Sequence, residues 1–62
     1  MASVWSHAKM IFPGDYLVEV GTTARWVHLR ADKWIKITCT DGTMRTYQAN
    51  TAVLVRRARE RY

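Results

Sequence analysis

Cysteine occurs once in the 62 residues, proline once and glycine three times. A lone Cys39 closes no internal disulfide, so oxidative cross-links do not hold this fold, and a reducing compartment suits it. It has no Cys-x-x-Cys partner. With His7 and His28 as the other nitrogen ligands, the chain lacks the paired spacing of a metal site. No phosphate-cradling glycine loop and no nucleophile elbow is present. Acidic residues number five against ten lysines and arginines. Asp15, Asp32 and Asp41 fall in turns, and Glu19 and Glu60 stand apart, so no carboxylate pair offers acid–base chemistry. No apolar run nears the ~20 residues of a membrane span. The first ten residues lack the charged start and apolar stretch of a secretion signal. These absences predict a cytoplasmic protein that is not an enzyme, with no cofactor, no metal and no membrane partner.

What is present is hydrophobic enough for a core: 48% of residues are apolar and 24% charged, as in ordinary globular domains. A chain of this length makes one domain and buries only about 60% of its unfolded surface, so the core is thin. The formal net charge is +5. A positive field over so small a surface favours anionic partners such as nucleic acid, anionic lipid or an acidic protein patch, although charge also serves solubility alone.

Along the chain, 1–10 reads as a helical turn or an irregular N-terminal arm, with Trp5 packing against the domain. Pro13-Gly14-Asp15 is a turn signal. Tyr16–Val20 follows as a strand, ended by Gly21-Thr22-Thr23. Arg25–Arg30 alternates, with Val27 and Leu29 on one side and Trp26, His28 and Arg30 on the other. After the short connection Ala31-Asp32-Lys33, Trp34–Thr40 is the clearest strand, pointing Ile35, Ile37 and Cys39 one way and Trp34, Lys36 and Thr38 the other. Asp41-Gly42 marks a hairpin. A two-residue turn sets Ile37 opposite Thr46; a three-residue loop with Gly42 left-handed sets Ile37 opposite Arg45 and Ile35 opposite Tyr47. The second is preferred, because it groups Tyr47 with the isoleucines. Ala49-Asn50-Thr51 reads as a 3₁₀ turn capped by Asn50, and Ala52–Arg56 as the last strand, with Val53 and Val55 inward. The expectation is an all-β domain: a five-stranded antiparallel barrel at 11–57, with an arm at 1–10 and a basic tail at 58–62.

The order Pro13-Gly14-Asp15, a tryptophan-bearing strand, Thr40-Asp41-Gly42-Thr43, Arg45-Thr46-Tyr47 and Ala52-Val53-Leu54-Val55-Arg56 resembles small SH3-like barrels over roughly residues 13–57. It is similar in style to small proteins of actinobacteria and their phages. The resemblance implies a fold. SH3-like barrels bind DNA, RNA, peptides or modified side chains, so the resemblance does not choose a ligand.

The central hairpin points to one. With His28 opposite Lys36 and Trp26 opposite Thr38, its outward face carries Trp26, His28, Arg30, Trp34 and Lys36. Indoles among cations suit base stacking and phosphate neutralisation. Arg56, Arg57 and Arg59, in the densest cationic cluster, extend the candidate nucleic-acid site, since the guanidinium fork matches phosphate. The competing readings bury Trp26 or Trp34 under the arm or in a homo-oligomer contact, and leave the arginines as a solvated tail. A second functional reading is a phage- or plasmid-encoded module docking on an acidic host protein through edge strands and exposed indoles.

Overall fold

Residues 3–57 are described by the structure, a computed structural model; the tail at 58–62, Arg59 included, lies outside them, as do Met1 and Ala2. Apart from one 3₁₀ turn at Ala8–Met10, the regular structure is all strand: β1 (Ser3–His7), β2 (Tyr16–Leu17), β3 (Thr22–Leu29), β4 (Trp34–Cys39), β5 (Met44–Gln48) and β6 (Ala52–Arg56). The strands form one antiparallel sheet in the order β1-β6-β2-β3-β4-β5, with β1 and β5 as its two unpaired edges. Six strands replace the expected five, because most of the residues read as an arm pair with β6, from Ser3 opposite Arg56 to His7 opposite Ala52.

A single sheet buries a core without a covering layer only by bending over itself. Here Leu17 of β2, Val53 and Val55 of β6, and Ile35, Ile37 and Cys39 of β4 share one buried cluster with Ala8, Ile11 and Ala24. Leu17, Ile37 and Val55 are wholly shielded from solvent, each contributing about 1.5–3 kcal/mol through burial. Ala8 N–H extends the β1–β6 pairing by a bond to the Thr51 carbonyl at 2.9 Å, and Lys9 N–H reaches across to the Ala49 carbonyl, just after β5, at 3.0 Å. Trp5 does not pack on this core. It stands outward on β1 opposite Leu54 and is 64% exposed.

The strand β2 is shorter than the run Tyr16–Val20 suggests. Val20 and Gly21 N–H both donate to the Leu17 carbonyl, and Gly21 adopts φ +85, so the chain turns after two residues. Thr22 and Thr23, expected to end a strand, instead begin β3, which pairs with β4 through a bulge. Ala24 faces Cys39, Trp26 faces Thr38, and Arg25 is the extra residue between them. The bulge reverses the phase of the strand. Before it, the even positions Thr22 and Ala24 look inward; after it, Val27 does and Trp26 turns out. Leu29 shares the phase of Val27 but lies 64% exposed, beyond the covered part of the sheet.

The β4–β5 hairpin has the three-residue loop. Ile37 faces Arg45, Ile35 faces Tyr47, and Gly42 adopts φ +90. The β5–β6 connection is a β-turn and not a 3₁₀ turn, with Thr51 N–H donating to the Gln48 carbonyl at 2.9 Å.

Candidate functional site

Three strands of the outer face lie side by side in register. One row reads Trp26–Thr38–Met44 and the next His28–Lys36–Thr46. The third joins Trp34 to Gln48 and, through the Arg30 N–H to Trp34 carbonyl bond of 2.8 Å, to Arg30. The period-2 alternation that sends Ile35, Ile37 and Cys39 inward sends Trp34 and Lys36 outward. Trp26 is 61% exposed, Met44 55% and Trp34 37%. The N-terminal strand lies along β6, away from this face, and buries neither indole.

Four residues of β4 and one strand spacing separate the two tryptophans, about 14 Å. One planar ligand cannot stack on both, so each indole offers a separate platform, with the His28–Lys36 pair between them. Arg25, placed by the bulge, holds its guanidinium 5.5 Å from the centre of the Trp26 ring, a cation–π contact. Arg30 is less free: Asp32 meets its guanidinium at 3.3 Å, although such an exposed pair is worth little.

The other arginines go elsewhere. Arg56 lies two strands from β3, half-buried, 5.6 Å over the Tyr16 ring, and its Nε has no hydrogen-bond partner among the described residues. Arg57 continues the inward phase of Val53 and Val55. Its Nη2 reaches the Ser6 hydroxyl at 3.3 Å, the Met10 carbonyl at 3.2 Å and the Asp15 carboxylate at 3.3 Å. Asp15 is buried and also accepts the Phe12 N–H at 3.0 Å. Arg57 is thus a clasp between β6 and the segment before β2. The structure gathers Trp26, His28, Arg30, Trp34 and Lys36 on one face, sets Arg56 apart from them, and turns Arg57 inward.

Sequence reasoning missed Arg25, Met44 and Gln48 on or beside this face. The register chosen for the Asp41-Gly42 hairpin already implied Met44 and Gln48, since it sent Tyr47 inward. Arg25 depended on the bulge, which has no glycine to announce it.

Cys39 is buried. Burial pushes its thiol above the ordinary range; the Asp41 carboxylate adds to this and the Arg45 guanidinium opposes it. Tyr47 is raised likewise, chiefly by burial. Neither is positioned as an activated nucleophile. Among the described residues no group of three His, Cys, Asp or Glu side chains converges to hold a metal, and no helix is long and apolar enough to cross a membrane. Comparison with family models, curated proteins and solved structures finds no match for this chain.

Proposed function

We propose that this protein is a non-enzymatic binding module that holds nucleic acid, in single-stranded form, across the outer face of β3, β4 and β5. The observation that carries the reading is the pair of exposed indoles on adjacent strands of one face, with His28 and Lys36 between them. Bases stack on Trp26 and Trp34, each stack contributing about 1–3 kcal/mol. Lys36 and Arg25 neutralise the intervening phosphates, and His28 offers them a hydrogen bond. Arg30 contributes through its exposed charge, and Arg59 remains part of the proposed contact as a tail residue. The bent sheet and its chain of tight hairpins support an SH3-like reading of the fold, and the unpaired, buried Cys39 suits a reducing cytoplasm.

Tryptophan-fluorescence titration with single-stranded oligonucleotides at ~50 and ~200 mM salt tests this. Contact with several phosphates weakens affinity steeply over that range, by a slope of about 0.7 per phosphate. Absence of binding at the lower salt ends the reading.

A second reading has its own support. The edge strand β1 is unpaired on its outer side and carries exposed Val4 and Trp5, a geometry that accepts a strand from an acidic protein partner. A stoichiometric protein complex that survives nuclease treatment and is lost on His7→Pro, which removes an outward-facing N–H at a residue whose φ of −63 already suits proline, distinguishes it.

A further inference from the structure

Two successive hairpins of this sheet are built alike. In the β4–β5 turn, Gly42 N–H donates to the Cys39 carbonyl at 3.0 Å and Cys39 N–H to that of Thr43 at 2.8 Å; in the β3–β4 turn, Lys33 N–H donates to the Arg30 carbonyl at 3.0 Å and Arg30 N–H to that of Trp34 at 2.8 Å. In each an aspartate steadies the loop: Asp41 accepts the Thr43 N–H at 2.9 Å and Asp32 the Trp34 N–H at 3.1 Å. Both loops need a left-handed residue at the same place. One uses Gly42. The other uses Lys33 at φ 69, the only non-glycine residue with positive φ among those described. A lysine there carries a backbone penalty that glycine avoids. The backbone bond made at this point, from Ala49 N–H to the Lys33 carbonyl at 3.2 Å, is equally open to glycine. What lysine adds is its ammonium.

Lys33 lines a groove between the β3–β4 and β5–β6 turns, together with Asp32, Trp34, Gln48, Ala49 and Asn50, with a volume of about 220 Å³. This is smaller than a drug-sized ligand needs and suits one heterocycle. The carboxamides of Gln48 and Asn50 make no hydrogen bond to another described residue. Side-chain amides present a donor beside an acceptor, the pattern that pairs with the N6/N7 edge of adenine.

We propose that this groove is a nucleotide subsite. Trp34 stacks one base, Gln48 and Asn50 read its edge with a preference for adenine, and Lys33 holds the adjoining phosphate. Asp32 repels phosphate and keeps the backbone on the Lys33 side. This deepens the nucleic-acid reading above and rests on it, adding a base preference to an otherwise sequence-tolerant face.

The test compares oligo-dA, oligo-dT and oligo-dC binding by the full chain and three variants at several salt concentrations. The intact protein is expected to favour oligo-dA. Lys33→Gly is expected to melt roughly 2–6 °C higher, since it relieves the left-handed backbone. It should nevertheless bind all three oligomers about three- to tenfold more weakly, with a salt slope lower by about 0.7. Lys33→Asn, which also tolerates this conformation, should lose the same affinity. The double variant Gln48→Ala, Asn50→Ala should lose the oligo-dA preference with its salt slope unchanged. Oligomer binding that all three variants retain at full strength and slope overturns the subsite and leaves the aromatic–basic face standing. Failure of the intact protein to bind any oligomer overturns both.

Discussion

The two halves of the outer surface expose tryptophan alike, Trp5 on one and Trp26 on the other, but use arginine differently. On the β3–β4–β5 half, Lys36 stands on the open face, Arg25 lies on the exposed Trp26 indole, and Arg30 makes only an exposed pair with Asp32. On the β1–β6–β2 half, Arg56 lies on Tyr16 and Arg57 turns inward to Asp15, Ser6 and the Met10 carbonyl. The densest arginine cluster in the sequence therefore begins with residues committed to holding the fold. The sparser half has the charge that a ligand can reach. Counting cations along a chain measures the field of the molecule; the alternation of each strand decides which of them face a partner.

The largest effect should come from breaking the clasp. Arg57→Ala leaves the buried Asp15 carboxylate without its counter-charge. It is expected to cost about 2 kcal/mol in chemical denaturation, less than the 3–5 kcal/mol of a fully buried pair because Arg57 remains partly exposed. Oligonucleotide affinity of the folded variant should not change. Unaltered stability would show that the clasp is ornamental.

Next in size is the contrast between two tryptophans of nearly equal exposure. Trp26→Ala is expected to weaken single-strand binding about tenfold, the value of one stacked base, and to shift stability by less than about 0.5 kcal/mol. Trp5→Ala on the other half should leave binding as it was. Equal losses from both would erase the distinction between the halves. A finer division comes from salt dependence: Lys36→Gln should lower the slope of log affinity against log salt by about 0.7, while Arg56→Gln should not move it.

The smallest effect concerns acid. The Thr43 N–H bond holds the Asp41 carboxyl below the ordinary carboxylate range. Because the folded value is depressed, the stability it brings is complete above the unfolded value and disappears as pH falls through the folded one. Asp41→Asn should therefore flatten the acid limb of a stability–pH curve slightly, without altering the Lys36 and Trp26 phenotypes.

The β4–β5 hairpin was legible in the sequence because the alternation of β4 is strong, Asp41-Gly42 marks the turn, and grouping Tyr47 with the isoleucines chooses the register. Once Ile35 and Ile37 faced inward, Trp34 and Lys36 had to face out. β1 was not legible. Its inward positions hold Val4, which stays exposed, and Ser6, so no apolar alternation marks it. β2 was overread because the five residues before Gly21 are rich in β-formers, yet the turn begins at Leu17. Arg57 was read from its charge as a phosphate contact, with a solvated tail as the alternative; extending the Val53, Val55 phase by two residues leads instead to its contacts with Asp15, Ser6 and Met10. Lys33 escaped notice because its distinction lies in backbone conformation, which a polar loop residue does not advertise.

The extra residue at Arg25 makes β3 tolerant of a change that would ruin most strands, the loss of one residue. Without it, Ala24, Trp26 and Val27 would follow one another in unbroken alternation opposite Cys39, Thr38 and Ile37, the partners they already have. Every side chain that looks inward would go on doing so. What would go is the local bend and the guanidinium beside the Trp26 ring. A single-codon loss here would straighten the strand and strip a cation from the ligand-facing surface while leaving the interior as it was.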